Sequence, residues 1–142
     1  MGMGVLMMIN QEEQRLFQAV QNHINMNGDS YVTLSELLDF EWEKALYFRF
    51  PATRQEIEQS IGARYTGETD LVAGIIFVKN GEVVYYELFP GAFDGFANSP
   101  PEFSFNPQIS QNDNSNIRLF DHEDEFEVKL TVAGNYWMGW LR

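Results

Sequence analysis

The sequence predicts one α+β domain built on a mostly antiparallel sheet, and three observations lead there. Residues 71–89 hold two apolar runs, rich in β-branched and aromatic side chains, that meet at Asn80-Gly81. That dipeptide supplies the positive φ angles of a two-residue type I′ hairpin turn. Helical spacing is confined to the stretch before residue 63, where one strand pattern interrupts it, and the rest reads as strands and turns. Finally, 142 residues with 44% hydrophobic and 15% aromatic side chains suit a single sheet-rich domain, 1–142, and exclude a disordered chain. No internal repeat or linker divides it.

A two-residue turn sets Lys79 opposite Glu82, Val78 opposite Val83, Phe77 opposite Val84, Ile76 opposite Tyr85 and Ile75 opposite Tyr86. Away from the tip both faces of this pair are apolar, so the two strands are expected inside the sheet with a cover on each face. Upstream, residues 1–9 are expected to form a tail. Asn10 and Glu13 then read as an N-cap with a capping-box glutamate. Leu16, Phe17, Val20 and Ile24 share one face of a helix from about Gln11 to Met26, which Asn27-Gly28 stops. His23, at the edge of that stripe, is expected as a boundary residue rather than a ligand.

Thr33-Leu-Ser-Glu36 is a second capping-box pattern, predicting a helical turn at Ser35–Asp39, while Tyr31-Val32-Thr33 equally suits the start of a strand. Trp42–Phe50 alternates as a strand that Pro51 ends. The clearest capping box, Thr53-Arg-Gln-Glu56, opens a short helix with Ile57 and Ile61 inward and Gly62 as its stop. Residues 90–116 are expected to form a long irregular loop, pinned to the body by Phe89, Phe93, Phe96, Phe103 and Phe105. Ile117–Phe120, Phe126–Val132 and Tyr136–Arg142 close the chain as strands, the second with Phe126, Val128, Leu130 and Val132 inward.

Charge narrows the partners more than any motif does. Twenty-one acidic residues against nine basic give a net charge of −12, and no Lys or Arg lies between Lys79 and Arg118. Nucleic acid and anionic membrane are therefore excluded as expected partners, because both are held by Lys and Arg, and a basic protein is the complementary choice. No apolar run approaches the length of a membrane span. No positive residue precedes the apolar patch at the start, so the chain is expected in the cytoplasm or, if a leader was removed, in the cell envelope. Cysteine is absent, which removes disulfides, thiolate nucleophiles and thiolate metal sites together.

Two acidic clusters stand out. Glu36, Asp39, Glu41 and Glu43 surround Phe40 and Trp42, a mixture of negative charge and aromatic anchor that suits docking to a basic protein. Asp121-His-Glu-Asp-Glu125 is the densest set of carboxylate and imidazole groups, but five adjacent residues match no metal-ligand spacing, so a solvated hairpin turn is expected. No serine sits in a Gly-x-Ser-x-Gly elbow and no glycine-rich loop is followed by Lys-Ser/Thr. The expected function is thus non-enzymatic binding, with no catalytic residue, metal or cofactor. Its partner-binding residues are Glu36, Asp39, Glu41, Trp42, Glu43, Asp121, Glu123 and Asp124. A metal-dependent enzyme ranks behind it and behind an envelope-associated role.

Residues 38–51, together with Thr53-Arg-Gln-Glu-Ile-Glu58, Ile61-Gly62 and the later Phe-Val-Lys-Asn-Gly hairpin, carry a resemblance. The stretch resembles small, largely uncharacterised bacterial proteins in which an Asp-x-Trp-x-Lys strand motif leads to an aromatic-Pro step and a short capped helix. Many of those resemble secreted lipoproteins, which implies an envelope location, although this chain has no lipid-bearing cysteine. The resemblance brings no catalytic residues. In composition the chain is also similar to bacterial toxin-immunity proteins, which implies an inhibitor that blocks a basic toxin or nuclease domain.

Overall fold

Asn80 and Gly81 have φ angles of 54° and 75°, so the tight turn forms where Asn-Gly calls for it. It joins β3 (Ala73–Lys79) to β4 (Glu82–Phe89). A β-branched residue fits poorly at positive φ, so Gly81→Val should lower stability by about 1–3 kcal/mol. A denaturation midpoint checks this, and no change would mean that the turn tolerates a side chain there.

The computed structural model describes residues 14–89, 103–107 and 116–140. Among them are the helices α1 (Arg15–Asn27), α2 (Leu34–Leu37) and α3 (Arg54–Ile61). The other strands are β1 (Ser30–Thr33), β2 (Lys44–Arg49), β5 (Phe103–Asn106), β6 (Ile117–Phe120), β7 (Glu125–Leu130) and β8 (Tyr136–Trp140). The fold is α+β, with two four-stranded sheets ordered β1-β7-β8-β5 and β4-β3-β2-β6. Every pairing is antiparallel except β5 with β8.

The second sheet is covered on both faces, as its apolar strands require. Ala45, Tyr47, Ile75, Phe77 and Tyr85 face the first sheet and α1, whose Leu16, Val20 and Ile24 are buried there. Leu46, Phe48, Ile76, Val78 and Tyr86 face α3 through Ile57 and Ile61. Both capping boxes downstream form, at Thr33/Glu36 and Thr53/Glu56, and Gly62 ends α3 in the left-handed conformation. Tyr31–Thr33 is part of a strand and the capped turn follows at once, so both readings of that stretch hold.

The hairpin departs from the expected register after two pairs. Lys79 faces Glu82 and Val78 faces Val83, but a bulge then sets Phe77 opposite Tyr85, Ile76 opposite Tyr86 and Ile75 opposite Glu87. Val84 is the extra residue and is exposed. The expected interior position holds for β3 alone; β4 ends its sheet, where a bulge disturbs fewest ladder bonds. Without the bulge Tyr85 and Glu87 would point toward α3; with it they point toward α1.

Three further expectations are corrected. Residues 103–106 are not loop: β5 pairs with β8, Phe103 stacks on Phe17 at 5.4 Å, and Phe105 packs on Tyr47, Phe89, Phe120 and Phe126. Those rings are pinned as expected, whereas Phe93 and Phe96 lie outside the described residues. β6 and β7 do not form a hairpin, because β6 pairs with β2 in one sheet and β7 with β1 and β8 in the other. Residues 121–124 therefore cross between sheets. Last, β7 ends at Leu130, and Leu130 and Val132 are exposed because Thr131–Gly134 already turns back into β8. The predicted cap at Asn10 and Glu13 lies outside the described residues.

A candidate docking face organised by His122

Helix α2 is a single turn that exists because its two ends satisfy each other. Thr33 Oγ1 accepts from the Glu36 N–H at 3.2 Å, and Glu36 Oε1 accepts from the Thr33 N–H at 2.9 Å. Beyond it the chain alternates: Leu38 and Trp42 are buried and Phe40 is half-buried, while Asp39, Glu41 and Glu43 stay exposed. Phe40 packs on Phe77 and Tyr85, and Trp42 packs edge-on to Phe77, all at 5.4 Å between ring centroids. Trp42 is only 3% exposed, so its indole belongs to the core and is not itself a surface anchor.

The Asp121–Asp124 crossover folds on its own carboxylates. Asp121 Oδ1 accepts from the Glu123 N–H and Asp124 Oδ2 from the Asp121 N–H, both at 2.8 Å, while Asp124 Oδ1 accepts from Trp140 Nε1–H at 3.3 Å. This turn lays the His122 imidazole flat on Trp42, with centroids 3.9 Å apart and planes within 8°. His122 Nε2 is 2.6 Å from the Trp42 carbonyl and Nδ1 is 2.6 Å from Ser35 Oγ. The two acidic clusters, about 80 residues apart in sequence, are thereby stapled together.

Glu41, Glu43, Ser35, Phe40, Lys79 and His122 line one groove of about 390 Å³. Lys79 forms an ion pair with Glu41, and its hydrogen bond and charge hold the Glu41 carboxyl below the usual carboxylate range. Glu43 Oε1 accepts from the Asn80 N–H at 2.7 Å, tying the hairpin tip to the same face. Glu36 and Asp39 border a second groove beside α1, whereas Asp121 and Asp124 border a third that also contains Lys44, Glu56 and Arg118. Glu123 is exposed on the crossover. Among the described residues, no three His, Asp or Glu side chains converge as metal ligands would.

Sequence reasoning missed a buried carboxylate. Glu87 is 2% exposed and sits at the start of α1, where Gln14 supplies no side-chain cap. Its Oε1 accepts from the Leu16 N–H at 2.8 Å and from the Tyr85 hydroxyl at 2.6 Å, and Oε2 accepts from the Phe17 N–H at 3.1 Å. The Tyr85 oxygen in turn accepts from the Arg15 N–H at 3.0 Å. One side chain from β4, relayed by its neighbour, thus satisfies the first three N–H groups of a helix some 70 residues away. Burial raises the Glu87 carboxyl above its ordinary value despite those donors, and burial followed by the Glu87 charge raises the Tyr85 phenol. Every oxygen of this cluster is engaged in holding α1, which makes it a structural joint.

Compared with known proteins, the chain matches no family model, no curated protein and no solved structure.

Proposed function

We propose that this chain is an acidic binding protein of the immunity or inhibitor kind, which blocks a basic protein domain. The supporting observation is the joining of the clusters at Glu36–Glu43 and Asp121–Asp124 through the His122 stack, in a chain of net charge −12. Residues that only solvated the fold would not need a common rigid frame, whereas a docking face does. The compositional likeness to toxin-immunity proteins points the same way.

Complementary charge mainly accelerates encounter. Raising salt from low levels to ~0.5 M should therefore slow association with the captured partner by roughly ten-fold, with dissociation less affected. Asp39→Lys and Glu123→Lys should reproduce part of that loss without unfolding the domain, since both side chains are exposed. Capture from the native host followed by salt-dependent kinetics is the test. An association rate indifferent to salt, or capture of acidic proteins and nucleic acids alone, would overturn the reading.

A further inference from the structure

The described residues hold two serine–histidine pairs, and their hydrogen bonds run in opposite directions. His23 Nε2 lies 2.9 Å from Ser30 Oγ, and Ser30 gives its own hydrogen to the Gly28 carbonyl at 3.1 Å. Ser30 therefore accepts from His23, and that imidazole nitrogen has no lone pair with which to take a proton. His122 is the reverse. Its Nε2 faces the Trp42 carbonyl, which can only accept, so Nε2 carries the hydrogen and Nδ1 of the neutral ring holds the lone pair. Ser35 Oγ–H points at that lone pair from 2.6 Å.

Nucleophile, base and orienting acceptor thus stand in series at hydrogen-bonding distance, the arrangement that activates a serine. The two ring nitrogens exchange their more common places, but either serves as a base when the other is protonated. The stack on Trp42 fixes the plane of the imidazole, and Ser35 is exposed and lines the 390 Å³ groove. Leu38 and Phe40 give that groove an apolar wall, and Glu43 and the Lys79–Glu41 ion pair complete its lining.

We propose that Ser35 is an activated nucleophile that takes a small acyl group from a carboxylic ester, an activity beyond binding. Ser35 Oγ adds to the ester carbonyl carbon while its proton passes to His122 Nδ1. The addition places negative charge on the carbonyl oxygen, within the groove that Lys79 and its ion-pair partner Glu41 line. Collapse breaks the bond to the alkoxy oxygen, which leaves as the alcohol with the proton from Nδ1–H. Water, deprotonated by the same nitrogen, then attacks acyl-Ser35 and releases the carboxylic acid, restoring the serine. The Trp42 carbonyl touches no reacting atom and is a positioning group.

The full chain incubated with p-nitrophenyl acetate should release nitrophenolate and carry an acetyl group on Ser35, located by mass spectrometry of peptides. Ser35→Ala should abolish the Ser35-dependent rate, and His122→Gln should lower it by about a hundred-fold or more. His122→Gln is the sharper variant, because its amide oxygen still accepts from Ser35 and its amide nitrogen still donates to Trp42, while it cannot take a proton. Ser30→Ala should leave the rate unchanged. Acetylation confined to lysines or the N-terminus, or a rate that survives His122→Gln, overturns the proposal.

Discussion

Replacing Glu87 with alanine should destabilise the domain by about 3–5 kcal/mol, a loss visible as a large drop in the denaturation midpoint. The carboxylate is the shared acceptor of the Leu16 N–H, the Phe17 N–H and the Tyr85 hydroxyl, and alanine leaves all three donors in a buried site without it. Each unsatisfied buried donor costs about 1–3 kcal/mol, before the vacated volume is counted. Glu87→Gln keeps the shape and an accepting oxygen but turns an NH₂ group toward a backbone donor, so it should cost less, about 1–2 kcal/mol. The two variants also differ from the native chain in pH dependence. Because burial raises the folded-state value above that of the unfolded chain, the folded state binds the proton more tightly in the window between them. The corresponding stability is fully present below the ordinary carboxylate range and declines as pH rises through the raised value. Glu87→Gln has no such group, so its stability should be flatter across that window; an identical slope in both proteins would assign the pH dependence to other carboxylates.

What could be read from the sequence is what neighbours in the chain decide among themselves. The Asn80-Gly81 turn, the boxes at Thr33 and Thr53, the stop at Gly62 and the inward stripe of Leu16, Val20 and Ile24 are each set within a few residues. The features that were not legible are set by distant partners. The bulge at Val84 shows its use only when Glu87 meets the α1 terminus, and strand β5 gains its ladder, among the described residues, from β8, which follows it by some 30 residues. Strands β6 and β7 look like a hairpin locally; the competition between β2 and β1 for them splits the pair between sheets. The acidic segments were visible as charge. Their union through His122 was not, since a stacked ring and two hydrogen bonds across about 80 residues leave no spacing in the sequence.

Removing the indole beneath that union should cost nearly as much as removing Glu87. Trp42→Ala deletes a buried side chain that packs edge-on to Phe77 and carries the His122 ring on its face, so a loss of about 3–5 kcal/mol is expected. The backbone carbonyl to which His122 donates remains, but the surface that holds the imidazole parallel to it is gone. His122→Ala, which removes the stack and both hydrogen bonds while leaving the core filled, should cost only about 1–2 kcal/mol. Since each single change already abolishes the stack, the double variant should fall short of the sum of the two by about 0.5–1.5 kcal/mol. A double-mutant cycle in chemical denaturant measures this directly. Exact additivity would mean that the ring contact contributes nothing, and that Asp121–Asp124 is held in place by its own turn and by Trp140 alone. If the coupling is present, Trp42→Phe should restore much of the packing but only part of the stack, and association with the proposed basic partner should weaken in step with the lost coupling rather than with overall stability.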